Sequence, residues 1–472
     1  MRLAYIIKKA EGVFKMKKLF SMLLVCALIS SLLCGITVFA QAVQVVVVSD
    51  DNSWTNATYD EETGILTNVD GGYSFKVAIN GDTATLSAAS AELITAQSVC
   101  IPASFTVGEN TYSCTTVSQY ILSGGSNTAN ESVQEVVISN GIININDNAF
   151  RNASALQTVN FPESVVKIGS YSFNSSGITS VFVPKTVKSV GKGAFGNTKS
   201  LNDATFEEGI TITALPDEGF KGSSIVSVSF PNTITKIGGG CFQSAGKLTT
   251  INGNSSVFDL SFVTESIGQL AFQQAGALAG EFIINAQTVG KEAFKQTGAA
   301  TKFTFMENVK TITGALQYRY DENLESMVFL GKTAPTIDSN SFGNTNAFTI
   351  YYPANSTGYD AAGYTAKTCV PFGGHISAVV SDGANTTVTY TVAEYTQSAE
   401  KIAVIALYDV QGNMIAAKTV PVNEEGVNDA LTAVFEGVTG AGTAKIYTWS
   451  SFAQVKPLYD AFEYTVATNV VE

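Results

Sequence analysis

A chain of 472 residues is too long for one compact hydrophobic core, so several structural units are expected. The formal net charge is −13, and a chain with that excess of acids repels a phosphate backbone, so nucleic acid is not an expected partner. Charged residues make up only 14% and aromatic residues 10%, which is typical of a mainly β extracellular protein rather than a helical cytosolic one.

The first 40 residues have the features of a secretory signal peptide. Lys17 and Lys18 precede an apolar stretch from Leu19 to Leu33, and small residues follow before a cleavage site. Met16 is the predicted true start. A membrane anchor is the alternative, but the apolar run is shorter than the ~20 residues that span a bilayer. We therefore expect a secreted or bacterial cell-surface protein that is not inserted in a membrane once the signal is removed.

Residues 41–95 are predicted to form a β-hairpin cap. The run VQVVVV predicts a strand, and two alternating runs on either side of Asn80-Gly81 predict a hairpin. The segment precedes a repeat array, whose first repeat would otherwise expose an apolar face. We expect the hairpin to cover that face.

Residues 96–370 repeat one pattern, seen in LQTVNFPESVVKIGSYSF at 156–173 and ITSVFVPKTVKSVGKGAF at 178–195. Each copy has a strand, a Pro, an apolar-x-x-apolar-Gly turn and a final Phe. The usual period of about 22–25 residues predicts a solenoid of the leucine-rich-repeat kind. The anchor positions are Phe150, Phe173, Phe195, Phe220, Phe242, Phe272, Phe294, Gln317 (in place of Phe) and Phe342.

Alternation along each strand separates buried from exposed residues. Apolar pairs such as Val181 and Val183 should face inward, and the residues between and before them should face outward. The anchor Phe is expected to fill the centre of the coil. The recurring Gly of the turn, for example Gly191, is expected to adopt a positive φ.

The outward strand residues form the candidate binding face. They are neutral and hydroxyl-rich, with two aromatic rings, which suits an extended protein or glycan. For any single residue the alternative is an ordinary solvated strand position. The candidates are Thr158, Asn160, Ser180, Phe182, Thr205, Ser227, Ser229, Thr304, Ser326 and Tyr351. The long gap before Phe272 contains a predicted insertion at 252–264, either a second binding element or a tolerated surface loop.

The array is expected to end in a cap at 351–365, followed by a Gly-rich hinge at 371–375. Residues 376–472 then contain six or seven short alternating runs, which predict a β-sandwich of immunoglobulin or fibronectin type. The predicted fold is thus mainly β, with a leucine-rich-repeat solenoid followed by a β-sandwich.

The four cysteines outside the signal are Cys100, Cys114, Cys241 and Cys369, and their spacing matches no zinc or redox motif. Cys241 occupies a position that is Ala in other repeats, so it is expected to be buried. Cys100–Cys114 is the one plausible disulfide. Alternation places Cys100 outward and Cys114 inward, so the sequence leaves this pair open.

No catalytic or metal-binding constellation stands out. His375 is the only histidine and lies in the predicted hinge, where a solvated linker residue is expected. Asn144, Asn146, Asp147 and Asn148 are similar to part of a calcium loop, but the required Gly and distal Glu are missing. We expect no enzyme, no metal and no cofactor.

The repeat resembles the BspA-like, treponemal-type leucine-rich repeat of bacterial surface proteins. The strand-Pro unit and the turn from Val187 to Phe195 carry this resemblance, although the ordinary Asn ladder is missing. The stretch KIYTWSSFAQVKPL at 445–458 resembles a β-sandwich module of secreted clostridial proteins. The resemblance implies an adhesin or binding module for an extracellular protein or glycan, host-derived molecules included. The alternative is a structural spacer whose C-terminal sandwich does the binding.

Overall fold

The structure, a computed structural model, describes residues 43–51, 53–314, 323–337, 342, 347–354, 356–365, 367–393, 402–422, 429–449 and 462–465. The predicted signal peptide and Gln317 lie outside these residues. The regular secondary structure of the described chain is nearly all β, with one short helix, as expected from its composition. Its strands form an N-terminal closed sheet, a parallel repeat array and a C-terminal pair of sheets.

The N-terminal strands are β1 Val43–Val48, β2 Ala57–Asp60, β3 Ile65–Asn68, β4 Tyr73–Asn80, β5 Thr83–Ala88, β6 Ser98–Ile101, β7 Ser104–Val107 and β8 Asn110–Val117. Strands β1 to β5 pair in chain order, β5 pairs with β8, β8 with β7, and β7 with β1. Each strand of this ring is paired on both sides, so the ring offers no open edge for pairing with another strand. The sequence predicted only β1 and the hairpin of β4 and β5.

The closed sheet buries an aromatic group against the first strand of the array. Trp54 Nε1 donates to the Cys100 carbonyl at 3.1 Å, and the Cys100 N–H donates to the Tyr73 hydroxyl at 2.9 Å. Cys100 pairs in register with Val137, an outward position of the next coil, so its side chain faces outward as predicted, but the N-terminal sheet buries it. Cys100 and Cys114 are both buried free thiols, and desolvation raises the pKa of each to about 12.

The strands of the array are short. They are β9 Glu135–Ile138, β10 Asn144–Ile145, β11 Thr158–Val159, β12 Lys167–Ile168, β13 Ser180–Val183, β14 Ser189–Val190, β15 Asp203–Phe206, β16 Ala214–Leu215, β17 Ser227–Ser229, β18 Lys236–Ile237, β19 Thr250–Ile251, β20 Val257–Leu260, β21 Ser266–Ile267, β22 Gly280–Ile284, β23 Thr288–Val289, β24 Ala300–Phe305, β25 Thr311–Ile312, β26 Ser326–Phe329, β27 Thr336–Ile337 and β28 Thr349–Pro353.

These strands build two parallel ladders along the solenoid. One ladder contains the strand that precedes the Pro position, and the other contains the two-residue strand before the turn. The first ladder is in three pieces, β6-β9-β11, β13-β15-β17-β19, and the run that begins β20-β22-β24. It is interrupted after β11 and again after β19, and these two breaks shape the surface described below.

The anchor phenylalanines stack into a continuous column along the solenoid axis. From Phe150 to Phe294, successive ring centroids lie 5.1–5.9 Å apart and the ring planes are within about 21° of parallel. Every ring of this run is buried. Burial of each Phe side chain contributes roughly 1.5–3 kcal/mol. The prediction that the Phe fills the centre of the coil is confirmed.

The reason for the recurring Gly differs from the prediction. A Cβ on Gly191 would lie 2.4 Å from the Ser170 backbone nitrogen, and one on Gly268 would lie 2.5 Å from that of Gly239. These glycines do not have positive φ. The left-handed residues lie two positions before and two after the Phe, for example Tyr171 at 54°. Gly is therefore needed because adjacent coils approach closely, not because the turn is left-handed.

The predicted insertion at 252–264 is mostly part of the solenoid. After β19 the chain turns at Asn252–Asn254, and β20 then starts a new piece of the first ladder. Phe258, Leu260 and Val263 are fully buried. Residues 253–257, Asp259 and Thr264 are exposed, so the segment is an exposed turn followed by a solenoid strand and not a surface loop throughout.

The C-terminal elements are helix α1 Ala362–Thr365 and strands β29 Thr368–Ser381, β30 Asn385–Ala393, β31 Ile402–Tyr408, β32 Met414–Val420, β33 Leu431–Glu436, β34 Thr443–Trp449 and β35 Phe462–Thr465. Strand β29 runs parallel to β28 over Thr368–Phe372 and then antiparallel to β30 over Gly373–Ser381. The predicted hinge at 371–375 is therefore wrong, because the segment is the middle of one continuous strand.

The glycine in this strand serves packing rather than flexibility. A Cβ on Gly374 would lie 2.7 Å from the Ile446 side chain of the opposite sheet. His375 is half-buried rather than a solvated linker residue, and desolvation lowers its pKa below the usual value.

The C-terminal strands form two sheets with a hydrophobic cluster of their own. One sheet contains β29, β30 and β33, and the other has the order β32-β31-β34-β35. Val388, Tyr390, Ile405 and Ile446 lie in the cluster between them. Because β29 also pairs with β28, the first of these sheets is continuous with the array. The immunoglobulin or fibronectin type of this region stays a prediction.

Candidate binding face

The outer face is defined here as the outward side chains of the first ladder. Parallel in-register pairing aligns equivalent side chains of successive coils into rows, about 4.8 Å apart. The rows are Ser98–Glu135–Thr158 in the first piece of the ladder, and Ser180–Asp203–Ser227–Thr250 and Phe182–Thr205–Ser229 in the second. Every member except Phe182 carries a hydroxyl or a carboxylate.

The predicted residues are not equally accessible. Thr158, Asn160, Ser180, Phe182 and Thr205 are exposed, and the Phe182 side chain is the most prominent apolar group among them, at 53% exposure. A second group is half-buried, namely Ser227, Ser229, Ser326 and Tyr351. The predicted residues that are exposed thus all lie in the coils before the second ladder break.

Thr304 was wrongly predicted to be on the surface. It is buried, and its hydroxyl donates to Glu281 at 2.6 Å. Glu281 also pairs with Lys302 at 3.2 Å, and the in-register neighbour Val328 is fully buried. Outward alternation predicts direction correctly but not accessibility, and this part of the face is withdrawn from solvent.

Asn160 is exposed, but its amide is already bound. Its Oδ1 accepts from the Ile138 N–H at 2.6 Å and its Nδ2 donates to the Ile138 carbonyl at 2.9 Å. Asn252 similarly accepts from the Phe230 N–H at 2.8 Å. Each asparagine follows the last strand before a ladder break. Asn160 is therefore a structural residue whose amide replaces backbone pairing. The prediction had placed it among the free ligand-binding side chains.

A shallow depression of about 330 Å³ lies at the first ladder break. Its lining is Glu135, Val136, Val137, Thr158, Val159 and Asn160. Glu135 was missed by sequence reasoning, although its strand belongs to the copy that ends at Phe150. Its alternation in the run EVVI, with Val136 and Ile138 inward, could have revealed it.

The carboxylates dominate the charge of this region. Ser98 Oγ donates to Glu135 Oε2 at 3.1 Å, which orients the carboxylate, and Asp203 lies in the next piece of the ladder. The nearby cation Lys185 is engaged by Glu207 at 2.9 Å. Burial is incomplete at all of these groups, so the face is a hydrated acidic surface.

The described part of the chain contains neither a metal-binding cluster nor a membrane-spanning helix. No three His, Cys, Asp or Glu side chains there are grouped so that they could hold a metal ion. Among the same residues, no helix has the length and apolar character needed to cross a membrane.

The family comparison fits this architecture. The BspA type leucine-rich repeat region matches residues 127–249 and 252–365 in six copies, about half of the chain. The chain belongs to the BspA-type leucine-rich-repeat family. The predicted solenoid is confirmed by this match together with the ladders and the Phe column. The matched BspA-type repeats include the outer face from Glu135 to Tyr351.

Solved structures with similar repeats share little sequence with this BspA-type chain. A leucine-rich-repeat protein from Bacteroides ovatus has 15% identity and a TM-score of 0.33, with 63% of this chain and 98% of that chain covered. The pneumococcal vaccine antigen PcpA has 14% identity and a TM-score of 0.35, with coverage of 69% and 99%. A leucine-rich-repeat protein from Eubacterium ventriosum has 14% identity and a TM-score of 0.31, with coverage of 70% and 85%. No curated protein matches the sequence.

Proposed function

We propose that this protein is a secreted or cell-surface bacterial binding protein that recognises an extracellular protein or glycan through its outer face. One observation supports this most: the outer face keeps exposed hydroxyls, carboxylates and Phe182 that the packing of the coil does not use. Large exposed apolar side chains beside a depression commonly mark interaction sites. The protein is proposed to act without catalysis, cofactor or metal.

A direct test places bulky charges on the outer face of the full chain. Thr205→Arg combined with Ser227→Arg should abolish retention on mucin, matrix-protein or bacterial cell-wall fractions. Ser189→Arg, an exposed substitution on the second ladder, is the matched control and should retain binding. Variants are preferable to cutting the chain near residue 372, because such a cut severs β29.

The spacer function predicts a different result. The continuous β29 holds the C-terminal sheets directly against the last coil, a geometry that suits a rigid support for that region. In that case Val434→Arg on the exposed side of β33 would abolish binding while the outer-face pair would not. That outcome would contradict the outer-face proposal.

A further inference from the structure

We infer that the depression beside Thr158, together with Phe182 on the next coil, binds an uncharged glycan chain that lies across the coils. This inference rests on the proposed function and names the ligand class of the same face. It follows from the shape of the ladder break, the chemistry of the rows, the position of the exposed ring and the sign of the charge.

The ladder break supplies the shape. Strand β11 ends after Val159 because the Asn160 amide binds Ile138 of the preceding coil, and β11 does not pair with β13. The resulting depression of about 330 Å³ is at the lower limit of ligand sites, which is suitable for one sugar ring of a longer chain. A regular flat ladder would have no such depression.

The rows supply polar partners at a repeating distance. Glu135 accepts one hydrogen bond from Ser98, and a carboxylate has about four acceptor positions, so capacity remains for sugar hydroxyls. Beyond the break, Ser180, Asp203 and Ser227 continue the series, one polar group per coil. A polymer with hydroxyls on every unit matches a surface with a hydroxyl or carboxylate on every strand.

Phe182 supplies the apolar contact. The Thr179 N–H donates to the Gln157 carbonyl at 3.1 Å, so the two chain segments on either side of the break remain neighbours. The half-exposed Phe182 ring therefore stands one coil from the depression. The C–H face of a pyranose ring can pack on an aromatic ring while its hydroxyls bind the polar rows.

Charge selects among glycans. The rows carry Glu135 and Asp203, and none of their members is Lys or Arg. Carboxylated or sulfated sugars would be repelled at this face, whereas neutral sugars would not be. The carboxylates of Glu135 and Asp203 can only accept hydrogen bonds, so the ligand must supply the donors. The free hydroxyl groups of a glycan can do so.

The backbone argues against an extended peptide here. Strands β15 and β17 pair on both sides, and across the break the Thr179 N–H is already bonded to the Gln157 carbonyl, so a peptide is not expected to add itself as a strand here. The remaining contacts would be side-chain contacts with one shallow depression. We therefore assign Thr158, Glu135 and Phe182 to ligand contact, and Asn160 to positioning through Ile138.

The experiment is calorimetric titration of the full chain with hexasaccharides. The neutral probes are β-linked oligomers of glucose, mannose and N-acetylglucosamine, and the acidic probe is a hyaluronan hexasaccharide. At least one neutral probe should bind, and hyaluronan should not. Phe182→Ala should weaken binding about five-fold, and Glu135→Gln at least about ten-fold. Ser189→Ala, an exposed residue of the second ladder, is the control and should bind normally.

The failures are distinguishable. Equal or tighter binding of hyaluronan, or neutral binding that is insensitive to both substitutions, would overturn the glycan assignment. If no hexasaccharide binds but a matrix protein is retained in a Phe182-dependent manner, the glycan assignment fails and the proposed function stands. If the outer face affects no binding at all, both fail.

As a positive test of the charge argument, Glu135→Lys with Asp203→Lys should introduce hyaluronan binding.

Discussion

In the interior of the array the same side chain recurs at coil after coil, whereas on the outer face the side chains of the second ladder piece change from Phe182 to Thr205 to Ser229. The interior Phe column is buried and stacked, and Phe182 is 53% exposed. Both positions hold Phe, yet only one is fixed by the repeat. Positions that repeat along this chain are therefore the ones that pack in the interior. Positions that vary from coil to coil are the ones available to contact a partner.

The largest expected effect comes from removing one ring of the column. Phe220 stacks between Phe195 at 5.6 Å and Phe242 at 5.5 Å, so Phe220→Ala leaves a cavity in a continuous stack. We expect a loss of about 3–5 kcal/mol in the free energy of unfolding, measured by urea denaturation. Phe182→Ala is the matched control and should change stability by less than about 0.5 kcal/mol. Similar losses of stability for the two variants would contradict the distinction between the interior Phe column and the outer-face Phe182.

A smaller loss is expected where coils touch backbone to backbone. Gly191→Ala places a methyl group 2.4 Å from the Ser170 nitrogen, and overpacking of this kind costs about 1–3 kcal/mol. The comparison variant is Gly246→Ala, whose Cβ would be 3.9 Å from its nearest neighbour and whose φ is not left-handed. Thermal unfolding of both variants decides the point. A tolerated Gly191→Ala would mean that adjacent coils can separate without cost.

Asn160 tests the boundary between structure and surface. Asn160→Ala removes both hydrogen bonds to Ile138 and should destabilise the protein by about 1 kcal/mol, although the side chain is exposed. Thr158→Ala, its neighbour on the same strand, should leave stability within about 0.5 kcal/mol of wild type. Equal stability of the two variants would return Asn160 to the group of free surface residues.

The smallest effect is expected at His375, which is neither interior nor fully exposed. Desolvation lowers its pKa in the folded state below the ordinary 6.5, so folding favours the neutral ring. Its contribution to stability is complete above pH 6.5 and is lost as the pH falls, because the unfolded chain takes up a proton first. Since His375 is the only histidine, His375→Gln should remove the stability change just below pH 6.5 in thermal melts. An unchanged pH profile would contradict this.

Regular repetition made the solenoid predictable, and irregular contacts made the rest difficult. The spacing of Phe150, Phe173 and Phe195 was enough to give the coil and its inward face. The reason for Gly191 was not predictable, because the spacing of residues along the chain does not show how closely adjacent coils approach each other. The closing of the N-terminal ring by β7 is a long-range pairing that local alternation cannot show.

The candidate face was predictable in direction but not in detail. Alternation placed Phe182 and Ser180 correctly outward. It could not show that Thr304 is buried beside Glu281, or that the Asn160 amide is bound to Ile138, because both depend on neighbouring coils. The depression was missed since it arises from a break in pairing and not from a residue type.

The single strand β29 has a mechanical consequence. Its first part is bonded to β28 of the last coil and its second part to β30, with no intervening loop. A pulling force on the C-terminal sheets is therefore transmitted directly to the hydrogen-bonded ladder. Ile446 of the opposite sheet packs against Gly374 of the same strand β29. The two regions should yield under load as one body, with rupture beginning in a sheet rather than in a tether between them.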